Sequence, residues 1–210
     1  MKKPLYSLTL ITTMLSASLL ATQVVAHGYE IPANTPPHIR RGVESPDRTD
    51  DQRARDAGRK PAEVLTLADI NEGDHVAEIT TFGLYYTPML LGAVGATGKV
   101  EMYDLPGLAA FQDGAVGEVG QAFAGARPNA EYHIVDYNVT TMPAGLDAVY
   151  NVLFYHDFAG MNVDAAPLNS KVFAALRPGD KYRLLITRLR VVPAGARPVP
   201  YIVYTNWAIL

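Results

Sequence analysis

Two groups of residues have the types and spacing for chemistry. Glu78, Asp104 and Asp136 each lie at the end of a short apolar run, and Asn151, Tyr155, His156 and Asp157 cluster at the end of another. A carboxylate is a two-oxygen hydrogen-bond acceptor, so an acid at a strand end can grip a polar ligand. A neutral imidazole can take a proton from a hydroxyl or an amine, with Tyr155 and Asn151 positioning the reacting group beside His156. Each residue also has a plainer reading. His156 can fasten its loop to backbone, Asp157 can cap a turn, Asp104 can cap a helix or turn before Leu105-Pro106, and Asp136 can form a turn with Asn138. The remaining histidines, at 27, 38, 75 and 133, are scattered without metal-ligand spacing, and no metal is expected.

The elements that must position these residues alternate along the chain. Strands are predicted at 75–79, 99–103, 131–136 and 147–153, with helices at 85–94, about 107–124 and 164–176. That alternation predicts an α/β fold, a Rossmann-like doubly wound, mostly parallel sheet with helices on both faces. The stretch VAEITTFGLYYT at 76–87 reads as its first strand, loop and helix. Gly83 is the one glycine of that loop, and Thr80, Thr81 and Phe82 fill space that glycines would leave to a ligand. Tyr85, Tyr86 and Tyr103 either line a pocket or cover the sheet, with core packing expected for at least one of the adjacent pair.

Upstream, Lys2 and Lys3, an apolar run from Leu5 to Ala21 and the small residues before His27 read as a signal peptide over 1–26, with an uncleaved anchor as the rival. The protein is therefore expected to be exported, to the periplasm, with no membrane contact after cleavage. Residues 27–48, rich in Pro and Asn and without periodicity, read as a flexible lead segment. The charged run from Arg48 to Lys60 reads by default as a solvated helix face, with a place across a ligand cleft as the alternative. Pro61 suits the first position of a second helix over 62–70. A net charge of −3 makes nucleic acid an unexpected partner, and the absence of cysteine excludes disulfides and thiolate metal sites.

The segments RDAGRKPAEVL at 55–65, AEITTFGLYYT at 77–87, GKVEMYDLP at 98–106, FYHDF at 154–158 and VFAALRPGD at 172–180 together resemble a family of exported class I S-adenosylmethionine-dependent methyltransferases. The match covers roughly 45–182, with the domain placed at 49–182. The resemblance implies S-adenosylmethionine as cofactor and a small-molecule acceptor. It places Glu78 and Gly83 toward the methionine and ribose portions, Asp104 on the ribose hydroxyls and Asp136 on the adenine amino group. Asn151, Tyr155 and His156 would border the point where methyl donor and acceptor meet. Relatives carry several glycines where Thr80, Thr81, Phe82 and Leu84 stand, which leaves a non-catalytic binding scaffold or an inactive homologue as the alternative.

From about residue 183 the resemblance stops, and 183–210 is an atypical tail in which the last strands of the sheet are altered or missing. Codons for Leu-Ile-Thr-Arg-Leu-Arg at 185–190, read one base earlier, can encode Asp-His-Ala-x-Ala. Those for Pro-Tyr-Ile-Val-Tyr at 200–204 can encode Leu-His-Arg-Ile. Both are segments that relatives carry, so a single-base deletion near codon 183 accounts for the change; a divergent C-terminus is the alternative.

Overall fold

The computed structural model describes residues 28–186 and 202–204, so the leader, most of the tail and His27 lie outside the described residues. Its centre is a sheet in the order β3-β2-β1-β4-β5-β6, built from β1 (His75–Ile79), β2 (Lys99–Asp104), β3 (Ala130–Ile134), β4 (Leu146–Val152), β5 (Leu176–Ile186) and β6 (Ile202–Tyr204). The first five strands run parallel and β6 pairs antiparallel with β5. Strand order reverses between β1 and β4, and ligands of such sheets bind outside the carboxyl ends of the strands at that reversal.

One face of the sheet presents Val76, Val100, Met102, Ala148 and Tyr150 to a core completed by α1 (Pro37–Val43), α4 (Pro61–Leu67), α5 (Thr87–Val94) and Ala124 of α7 (Ala115–Gly125). The other presents Ala77, Ile79, Tyr103 and Val149 to a 3-10 helix (Tyr155–Met161) and α8 (Ala165–Ala175). The strand interiors are apolar on both faces because both are covered, the signature of a parallel sheet. Burying side chains such as Met89 and Leu90 contributes roughly 1.5–3 kcal/mol each.

Of the flexible lead expected at 27–48, the described residues 28–48 depart from that reading. Pro37 opens α1, which buries Ile39 and Val43 and crosses α5 at a pair of glycines. A Cβ on Gly92 would stand 2.7 Å from the Gly42 Cα, so only hydrogen at both positions permits the crossing. Two apolar anchors and a close backbone approach order a segment too short to show periodicity.

The Arg48–Lys60 run departs in part from a solvated face: Asp50, Asp51, Arg55 and Lys60 are exposed, whereas Arg48, Gln52 and Asp56 are buried. It folds as α2 (Asp50–Arg53), capped by a reciprocal Thr49–Gln52 box, and α3 (Asp56–Arg59). Arg48 and Asp56 are buried in a bidentate ion pair, which neutralises both and lets them leave water.

The single helix expected at 107–124 is broken into α6 (Pro106–Ala109) and α7, because Gln112, Asp113 and Gly114 take positive φ and turn the chain. β5 continues in register with β4 through Leu185, past the point where the family resemblance ends.

Candidate functional site

The carboxyl edge of β1 and β2 is built by a strained loop. Thr80 and Leu84 hold φ of 69° and 52°, with Gly83 at 75° between them. A left-handed conformation costs a β-branched residue such as threonine about 1–3 kcal/mol, so surrounding bonds must hold it. The Tyr103 carbonyl does much of this, accepting from Thr80 N (2.8 Å), Thr81 N (3.2 Å) and the Tyr137 hydroxyl (2.9 Å). From the other side Gln52 Nε2 of α2 donates to the Leu84 carbonyl (3.0 Å) and reaches that of Gly83 (3.4 Å). The N-terminal helices therefore lie against this loop, and Gly83 itself faces open space.

Under the loop stand two buried acids. Glu78 accepts from the Thr87 hydroxyl at the start of α5 (2.6 Å), and burial, with a smaller push from Asp104, raises its carboxyl to about 8. Asp104 Oδ2 accepts from the Thr81 hydroxyl (2.8 Å) and the Tyr132 hydroxyl (2.9 Å). Burial raises this carboxyl too, against the pull of Thr81 and Tyr132 and of the Thr81 and Phe82 backbone amides facing it. Asp104 Oδ1 is buried and has no hydrogen-bond partner among the described residues. At the rim Phe82 and Phe111, both exposed, meet edge to face at 5.6 Å.

The structure brings Glu78, Gly83 and Asp104 to this one edge and leaves Asp136 in a turn of its own. Asp136 is exposed, and its Oδ1 accepts from Asn138 N (2.8 Å). The residues after β4 are spread out. Asn151 is fully buried on the face of the sheet opposite Glu78 and is turned toward the half-buried Tyr182. Tyr155 packs on Phe158 and accepts from Asn169 Nδ2 (2.7 Å). His156 is exposed, with Nε2 3.5 Å from Asp157 Oδ2. No hydrogen bond among the described residues joins His156 to Tyr155 or Asn151.

Several participants escape a reading of the sequence. Tyr132 reaches Asp104 because β3 pairs with β2 in the register Met102↔Tyr132, which puts it on the Asp104 face. That register is the signal that would find it. Asp56 accepts from the Tyr85 hydroxyl (2.6 Å), and the guanidinium groups of Arg48, Arg55 and Arg59 stand over the Tyr85 ring. Both Tyr85 and Tyr86 are core residues. Away from the edge, the two distant histidines 75 and 133 meet at one buried acid, Glu101.

No protein-family model matches the chain, and no curated protein matches it. Solved structures do. A SAM-dependent methyltransferase from Aquifex aeolicus superposes with a TM-score of 0.51 at 19% identity, over 65% of this chain and 68% of that one. A SAM-dependent O-methyltransferase from Thermotoga maritima gives 0.47 at 17% identity, over 65% of this chain and 50% of that one. The first likeness shows that this chain has the Rossmann-like α/β fold found in such enzymes.

Proposed function

We propose that the protein is an S-adenosylmethionine-dependent methyltransferase acting on a small acceptor. The observation that carries this reading is the buried, unpartnered Oδ1 of Asp104 at the carboxyl end of β2, beside the reversal of strand order. A ribose hydroxyl is the kind of donor that this oxygen lacks. Glu78 would stand toward the methionine portion, the Gly83 backbone would border the cofactor, and Asp136 would meet the adenine amino group. When bound, the cofactor supplies an electrophilic methyl group on a sulfonium.

What this chain adds is control of access and of one proton. Asp104 is 2% exposed beneath Thr81, so the 80–84 loop must swing outward before a diol can reach it. The left-handed strain at Thr80 and Leu84 lowers the cost of that swing. His156, exposed after β4, would take the proton of an acceptor hydroxyl or amine as the methyl arrives, with the neighbouring Tyr155 and Asn151 of the same segment positioning the acceptor. The leader sequence supports export to the periplasm, and the acidic balance and small edge site support a small-molecule partner over nucleic acid. Among the described residues no helix is long and apolar enough to cross a membrane.

The test is thermal melting with and without S-adenosylmethionine, run on the chain and on the double variant Thr80→Gly, Phe82→Gly. At about 100 times the dissociation constant the cofactor adds roughly 2.7 kcal/mol, a rise of several degrees. The expected result is a rise in the chain and a larger one, at equal concentration, in the variant. Two cooperative melts that ignore the cofactor would sink the reading.

A further inference from the structure

We propose that Glu101, Glu131 and His133 form a binding site for a divalent transition cation of the zinc class, on the face of the sheet opposite Asp104. The pairing of β2 with β3 sets Glu101 beside Glu131 and Tyr103 beside His133, and alternation along each strand turns all four to the same face. One oxygen of each glutamate and one imidazole nitrogen of His133 lie within 4.8 Å of one another. His133 Nε2 stands 2.7 Å from Glu101 Oε2 and 3.9 Å from Glu131 Oε1. Ligands bound about 2.0–2.1 Å from a tetrahedral zinc are separated by roughly 3.3 Å, which falls between these two distances. Mixed imidazole and carboxylate donors suit zinc and its neighbours, whereas calcium and magnesium favour oxygen alone.

The ligands are oriented before any ion arrives. Glu101 is 3% exposed, and its second oxygen is held by His75 Nε2 at 2.8 Å. The His133 ring is stacked on Tyr103, with centroids 4.6 Å apart and planes at 21°. Such outer contacts fix the direction of the ligands in metal sites, and the Nε2 proton that His133 shares with Glu101 leaves to solvent when the ion binds. The cluster also already accommodates a cation, since Lys99 Nζ lies 2.8 Å from Glu101 Oε1 and 2.8 Å from Glu131 Oε2. Lys99 is 39% exposed on a flexible stem, so it can withdraw and leave the two carboxylates to the ion. Three protein ligands leave one tetrahedral position to water.

The site shares no residue with the Asp104 edge and does not depend on the methyl-transfer reading. The experiment is a zinc titration of the tag-free, 210-residue chain followed by calorimetry and thermal melting, with calcium and magnesium as controls. One zinc per chain is expected, with a melting rise of roughly 5–10 °C at about a hundredfold excess over the dissociation constant. Calcium and magnesium should leave the melt in place. Glu131→Gln and His133→Ala should each weaken binding about tenfold or more, while Lys99→Met should strengthen it by removing the competing ammonium. The Glu131 side chain is 55% exposed, so Glu131→Gln decides the matter if His133→Ala does not fold. A melt unmoved by zinc in both the chain and Lys99→Met would overturn the proposal, as would zinc binding undiminished in Glu131→Gln.

Discussion

Asp56 is the residue that joins the N-terminal helices to the start of α5. It receives the Arg48 guanidinium in a buried pair and the Tyr85 hydroxyl at 2.6 Å, so three segments of the chain depend on one carboxylate. Arg48→Ala leaves that carboxylate buried without its counter-charge, and the expected loss is about 3–5 kcal/mol. The midpoint of urea unfolding, compared with that of the unmodified chain, measures it. A loss within 1 kcal/mol, roughly that of an exposed pair, would contradict the burial described here. Neither Arg48 nor Asp56 is distinguished by its own local sequence. Burial was hidden because Arg48 lies in the connection between α1 and α2 while Asp56 lies on α3, and a charged run ordinarily faces water.

At the scale of elements, the crossing of α1 on α5 decides whether the N-terminal helices are docked. Gly42 meets backbone atoms of Met89 and Ala93, and Gly92 meets backbone of Arg41 and Gly42, so neither contact can be relieved by turning a side chain. Gly42→Ala must push the two helices apart, at an expected cost of about 1–3 kcal/mol. The same change should speed proteolytic cutting within 30–55 while cleavage within the sheet stays slow. Equal acceleration everywhere would show that α1 is not a separable layer. The strands were legible because their apolar runs are bounded by turns. Helix α1 was not, since seven residues give three buried positions, one of them a glycine, and no visible period.

Across the whole molecule, the buried acid under the 80–84 loop couples stability to pH. Burial raises the Glu78 carboxyl from the ordinary value near 4.5 to about 8, so the folded chain holds a proton that the unfolded chain releases. Its contribution is complete below about 4.5 and is lost as pH rises toward about 8. The unfolding free energy from denaturant titration should therefore fall across that range, by an amount on the order of a few kcal/mol. Glu78→Gln should flatten the fall, because glutamine has no proton to lose. An unchanged slope in that variant would assign the pH dependence to other groups.

The sequence by itself determined the alternation of strands and helices, the parallel sheet, the positions of Glu78 and Asp104 at strand ends, and the glycine-poor loop between them. These are local properties of hydrophobic period and turn chemistry, readable within a short window. Tertiary structure alone decided that Thr81 and Tyr132 share Asp104, that Gln52 pins the loop, and that Asn151 lies across the sheet from Glu78. It also decided that His75 and His133 meet at Glu101. Each of these depends on strand order and register, which join residues far apart in the chain, and no spacing along the sequence encodes which strand will lie beside which.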